Sequence, residues 1–196
     1  MFSAPLPEVP TLHAWVDESL IQRPGARAYL LAGVLADISR VDELRSTLRS
    51  LRTGNEAKLH WRAEAHRRRT KLACAVAELH VASIVVVGTP MDQPERARRK
   101  CMEALLPRLQ SAGAQRVWRE ARTPTQDRLD REHVAAMVGR GFIPSTFRVQ
   151  SQQPNQEPML WLPDVVAGAV NAAQQGRRAY LEALSATVEV VYFEIR

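Results

Sequence analysis

The sequence predicts an α/β protein: a layered mixed sheet of about five to six strands, flanked by helices and opened by an antiparallel hairpin. Three observations carry this expectation. Short apolar runs of strand character alternate with longer segments whose apolar residues recur every three or four positions. The first two strand-like runs are separated only by a short polar loop, which suits a hairpin, whereas later ones are separated by helix-length segments, which suit crossovers. Ile84-Val85-Val86-Val87 is continuous, β-branched and uncharged, the signature of a strand buried on both faces. With 196 residues, 45% of them hydrophobic, and no long charged or Ser/Gly-rich linker, a single domain over residues 1–196 is expected.

Taken in order, Leu12-His13-Ala14-Trp15-Val16-Asp17-Glu18-Ser19 reads as a strand ending in two acids and a hydroxyl. Alternation places Leu12, Ala14 and Val16 on one face and His13, Trp15 and Asp17 on the other, so Asp17 and Glu18 point to opposite sides of the sheet. Asp17 is the better site candidate, because its face is the one helices are expected to cover. Pro24-Gly25 marks a turn before a second strand, Arg27 to Ala36. Ser39 is the expected N-cap of a helix with Val41, Leu44, Leu48 and Leu51 on its apolar face. Glu56 to Trp61 reads as extended, and Ala63 to His80 as an amphipathic helix whose Arg67-Arg68-Arg69 and Lys71 form a basic patch, either a solvated face or a phosphate-contacting one. Val81 to Gly88 is the buried strand. Pro94 to Ser111 is a long helix, with Cys101, Leu105, Leu106 and Leu109 inward and Arg96, Arg98, Arg99 and Lys100 outward. Gln115 to Glu120 is a short strand ending in an acid, and a helix from Thr123 to about Val138 follows. Its surroundings, Arg122, Asp127, Arg128, Asp130, Arg131 and His133, suit either helix-stabilising ion pairs or a functional loop. Pro144 to Gln150 alternates like a strand. Met159 to Val170 is an apolar helix of small residues with Asp164 near its start, where the helix dipole alone is one explanation for an acid. Arg177 to Ala186 is a short helix, and Thr187 to Ile195 a last strand at a sheet edge.

Composition removes several function classes. No apolar run approaches the roughly 18 residues of a membrane span, and Met1-Phe2-Ser3-Ala4-Pro5 lacks the features of a secretory signal, so a soluble cytoplasmic protein is expected. Cys74 and Cys101 match no metal-ligand spacing and read as reduced, small apolar residues. No Gly-x-Ser-x-Gly elbow and no Gly-rich phosphate loop is present. The net charge of +6, dominated by arginine, favours a polyanionic partner.

The chemistry rests on carboxylates: Asp17 on the first strand, Glu120 ending a later one, Asp164 opening a late helix. Brought together, they would bind a divalent cation through oxygen, as magnesium and manganese prefer. Asp17-Glu18-Ser19, Lys58 and Leu162-Pro163-Asp164-Val165-Val166-Ala167-Gly168 resemble, in order and over nearly the whole chain, the bacterial and phage proteins grouped as domain of unknown function 3800. Leu20 stands where a glycine commonly follows the triplet, and Trp161 or Leu162 where a glutamine often precedes the late acid.

The resemblance implies a ribonuclease H-like fold and a metal-dependent nuclease acting on RNA or DNA. It makes Asp17 and Asp164 metal ligands with Glu120 as the third, Glu18 or Asp130 standing as substitutes. Two Mg2+ or Mn2+ ions about 4 Å apart would activate water and stabilise the leaving oxygen. Lys58, with His60 nearby, would neutralise the phosphate or move a proton; surface pairing of Lys58 with Glu56 or Glu64, and an ordinary exposed histidine, are the alternatives. A non-catalytic nucleic-acid-binding or partner-binding protein on the same scaffold is the other reading. A homodimer through the terminal edge strand is also compatible with the sequence.

Overall fold

In the computed structural model, which describes residues 11–23, 25–54 and 56–196, the chain begins with two twelve-residue strands, β1 (Leu12–Arg23) and β2 (Ala26–Asp37). They pair antiparallel over their whole length, Val16 opposite Gly33 and Arg23 opposite Ala26. The hairpin is longer than the sequence suggested. Leu20 to Arg23, beyond the strand read as ending at Ser19, continue β1, and Ile21 takes a place in the core. Asp17 therefore lies in mid-strand, not at a strand end. Gly25 takes φ 75°, a left-handed conformation that glycine adopts without a Cβ penalty. Pro24, Asn55 and the Met1–Pro5 stretch fall outside the described residues.

The remaining elements follow the expected order: α1 (Val41–Ser50), α2 (His66–Ala77), β3 (Ala82–Thr89), α3 (Pro94–Ser111), β4 (Ala114–Glu120), α4 (Pro124–Gly139), β5 (Arg148–Gln152), α5 (Trp161–Gln174), α6 (Ala179–Leu184) and β6 (Val188–Glu194). The N-cap before α1 differs from expectation. Asp37, not Ser39, accepts the Ser39 N–H at 2.9 Å and caps a short 3-10 turn, Ile38–Arg40, that leads into the helix. Thr123 caps α4 in a reciprocal box with Gln126.

The six strands form one mixed sheet in the order β5-β4-β1-β2-β3-β6. β2 pairs antiparallel with both β1 and β3, while β4 pairs parallel with β1 and with β5, and β6 pairs parallel with β3. This is the helix-flanked α/β sheet of the ribonuclease H-like expectation, with β6 at an edge. Helices pack on both faces. Trp15, Ile21, Leu30 and Val85 pack under α1, α2, α5 and α6 on one side; Val16, Leu31, Val86 and Val117 pack under α3 and α4 on the other.

Two expectations about side chains are corrected. Arg98, read as an outward residue of α3, is only 4% exposed. Cys74, read as a small apolar filler, faces solvent, while Cys101 is buried, its thiol pushed up to about 12 by removal from water. Among the described residues no helix is long and apolar enough to cross a membrane.

Candidate functional site

β4 pairs with β1 only as far as Val16 opposite Arg119. Beyond that point the two parallel strands part, β1 continuing beside β2 and the chain after β4 turning away to α4. Such a divergence opens a crevice at the carboxyl ends of parallel strands, where α/β sheets commonly bind ligands. A pocket of about 500 Å³ occupies it, lined by Asp17, Glu18, Lys58, His60, Glu120 and Asp164 among others. All five residues singled out from the sequence as catalytic thus border one pocket, although they come from five different segments or faces.

Asp17 and Glu18 point to opposite sides, as alternation requires, and have different partners. Asp17 faces α5 and accepts the Glu18 N–H at 2.7 Å. Its carboxyl is held well above the usual carboxylate range, first by removal from water and then by the negative charges of Asp164 and Glu120. Glu120 is raised for the same first reason, with Lys58 pulling the other way and Asp164 adding to the rise. The negative charges of Asp17, Asp164 and Glu120 thus repel one another, and Lys58 offsets part of that repulsion.

Asp164 lies in the first turn of α5 but does not cap it; the N-cap is Leu160, without a side-chain bond. Instead its Oδ2 accepts the Trp61 backbone N–H at 2.9 Å and sits 3.3 Å from His60 Nδ1. The loop carrying Lys58 and His60 is thereby tied to α5. The tie depends on the small residues of that helix: a Cβ on Gly168 would stand 2.2 Å from Trp61 Cδ1. Part of the basic patch secures the loop from the other side. Arg69 donates to the Trp61 and Arg62 carbonyls, both at 3.0 Å, with its guanidinium 5.5 Å from the Trp61 ring centroid. Lys58 Nζ is 3.7 Å from Glu120 Oε1, not paired with Glu56 or Glu64; Glu64 pairs with Arg68.

Glu18 belongs to the α3 side. It accepts from the Tyr29 hydroxyl and pairs with Arg98. Arg98 also chelates Asp130, Nε to Oδ1 at 3.0 Å and Nη2 to Oδ2 at 2.8 Å. Asp130, 2% exposed, is shared with Arg119 at 3.1 Å, and Arg119 in turn binds Asp127 at 2.7 Å. Arg122 adds a bond to Glu95 Oε2 at 3.2 Å. Arg98, Arg119, Arg122, Asp127 and Asp130 therefore form a network between elements, whereas the exposed Arg128 pairs with Glu132 within α4 as a helix-stabilising ion pair. The structure places Asp130 inside that network rather than beside Asp17. Sequence reasoning missed Arg98, Arg122 and Tyr29 as neighbours of the site.

Among the described residues no three His, Cys, Asp or Glu side chains are gathered tightly enough to hold a metal ion as they stand. The donor set nevertheless fits a hard divalent cation in chemistry: three carboxylates around one pocket, two of them raised by burial and mutual repulsion. No family model matches the chain, and no curated protein matches it.

Proposed function

We propose that this chain is a metal-dependent nuclease on a ribonuclease H-like scaffold, related to the domain of unknown function 3800 proteins, and that it hydrolyses phosphodiester bonds of RNA or DNA. One observation carries the reading. Asp17, Glu120 and Asp164, from β1, β4 and α5, border one pocket with Lys58 beside them. In this reading those three acids hold Mg2+ or Mn2+. Such a cation supplies an activated water and charge stabilisation for the leaving oxygen.

The chain's own groups have separate duties. The Trp61 N–H and the His60 ring fix the Asp164 carboxylate, so that this ligand is oriented before the substrate arrives. The partial removal of Asp17 from water strengthens its charge interactions with Asp164 and Glu120. Lys58, held near Glu120, offers a cation to the scissile phosphate. Glu18, anchored by Arg98, fixes the strand beside Asp17 and leaves the metal-facing acids as three.

A second reading, a non-catalytic nucleic-acid-binding module, is favoured by one feature. Lys58 Nζ already lies 3.7 Å from Glu120 and His60 Nδ1 3.3 Å from Asp164, so two of the acids have partners within the protein. The deciding experiment is cleavage of labelled single-stranded RNA, single-stranded DNA, duplex DNA and RNA/DNA hybrid, with magnesium, manganese or EDTA. Wild type is compared with Asp17→Asn and Asp164→Asn. Cation-dependent cutting lost in both variants is expected. Cutting that persists in both variants overturns the carboxylate site, and binding without cutting under any cation supports the second reading.

A further inference from the structure

On the α5 side, the sheet is only partly covered. α5 packs chiefly on β1 and β2, and among the described residues no α-helix packs extensively on β4 and β5 from this side. The residues exposed there follow from register. Arg116 stands opposite Arg148, Trp118 opposite Gln150 and Glu120 opposite Gln152. Val117 and Val149, one residue out of phase, point to the α3 and α4 layer, which confirms the orientation of the row.

The strip so formed carries one large aromatic, two guanidinium groups and two amides, and its acid lies only at the pocket end. Arg148 and Gln150 are exposed and Trp118 is partly so. Trp118 is held in place, its indole N–H donating to His13 Nδ1 at 3.5 Å and the Arg116 guanidinium lying 5.4 Å from its ring centroid. At about 3.3 Å per residue, Arg116, Trp118 and Glu120 stand roughly 7 Å apart along one line. That line ends in the carboxylate pocket.

We propose that this strip is a track for single-stranded nucleic acid that delivers an unpaired base to Trp118 and the adjoining phosphate to the pocket; as a feeder to that pocket it rests on the nuclease reading above. An unpaired base stacks on an indole or on a guanidinium plane without regard to sequence, and two arginines beside it neutralise backbone phosphates. A duplex has its base faces already stacked, so the strip discriminates for single strands. The free amides of Gln150 and Gln152 add polar contacts to bases or sugars.

The test is fluorescence anisotropy of labelled oligo(U), oligo(dT) and a duplex of equal length, in EDTA over a range of salt, with wild type, Trp118→Ala, Trp118→Phe and Arg148→Ala. Wild type should prefer single strands, and the two oligonucleotides report whether RNA or DNA is favoured. Trp118→Ala should weaken single-strand binding about tenfold or more, with Trp118→Phe restoring most of it. Arg148→Ala, on an exposed edge position, should lower the salt slope by about one. Single-strand binding unchanged in both Trp118→Ala and Arg148→Ala overturns the track, as does equal affinity for the duplex. Because binding is read in EDTA, weakened binding in these variants supports the track even if no cation produces cleavage, in which case the nuclease reading alone fails.

Discussion

The backbone N–H of Trp61 donates to Asp164 Oδ2 at 2.9 Å, joining two residues 103 positions apart. Through this bond the irregular segment bearing Lys58 and His60 is fixed to the first turn of α5. Gly168, one helical turn further on, accepts the Trp61 indole where any larger residue would collide with it. Gly168→Ala should therefore destabilise the protein by about 1–3 kcal/mol, the usual range for overpacking. Urea unfolding followed by tryptophan fluorescence measures it, and a midpoint equal to that of wild type would show that Trp61 is free to move.

Asp17 costs stability for the sake of its site. Its carboxyl is raised by burial and by Asp164 and Glu120, so the folded state binds a proton more readily than the unfolded one. Such a group favours the fold below the ordinary value of 3.8 and loses that contribution as pH rises through the raised folded value. Asp17→Asn should then raise the melting temperature without added metal by roughly 2–4 °C at pH 8, on the scale of about 1 kcal/mol for a chain of this length. The advantage should shrink as pH falls toward 4. Calorimetry at several pH values reads this, and a lower melting temperature for the variant at pH 8 would contradict it.

Lys58 holds the Glu120 carboxyl down against burial and Asp164. Removing it by Lys58→Met should move the Glu120 titration to higher pH, observable by carbon-detected NMR of the side-chain carboxyl. In the nuclease reading the same variant should lower cleavage by at least tenfold, since a cation near the phosphate is lost. A titration left in place would mean that the 3.7 Å pair is not formed in solution.

Arg98 is buried against two acids. Arg98→Ala leaves Asp130 and Glu18 short of a partner inside the protein and should cost about 3–5 kcal/mol, as when one member of a buried ion pair is removed. Arg98→Met together with Asp130→Leu should recover only part of that loss, because Glu18 still lacks Arg98 and Arg119 is left with Asp127 alone. Chemical denaturation of the single and double variants compares them directly.

His13 and His133 are both lowered by burial, so the unfolded chain binds protons that the folded one resists. For such groups stability is present above the ordinary histidine value of 6.5 and declines as pH falls below it. Between pH 7 and 5, Asp17→Asn should lose stability more steeply than wild type, because the opposing gain from Asp17 is gone. Parallel slopes would indicate that Asp17 takes up no proton on folding in that range, and a stability of the variant that does not decline from pH 7 to 5 would indicate that neither histidine resists protonation in the folded state.

Much of this architecture was legible because the signals are local. Alternation separated Asp17 from Glu18, and the bounds of α3, Pro94 to Ser111, follow from a proline at its start and Gly113 beyond its end. Asp164 was visible as the lone acid of an apolar helix. Arg98 was not. Its spacing, three residues before Cys101 and seven before Leu105, puts Arg98 on the inward stripe, but its charge argued for solvent, and its burial depends on Asp130, 32 residues away, and Glu18, 80 residues away. The role of Asp164 was open for the same reason: its partner Trp61 is settled only by tertiary packing. Ser39 looked like a cap, but Asp37 is better placed because β2 ends on it.

The opposite allegiances of Asp17 and Glu18 bear on how the central strand finds its place during folding. Slipping β1 by one residue against β2 would turn Glu18 toward Asp164 and Glu120 and leave Arg98 and Tyr29 facing the shorter Asp17, while Trp15 would exchange layers with Val16. Each such error strands a buried guanidinium or drives a bulky indole into the wrong layer. The adjacent acids thus act as a proofreading mark on the hairpin, and the chain that assembles its pocket has, by the same step, verified its own strand alignment.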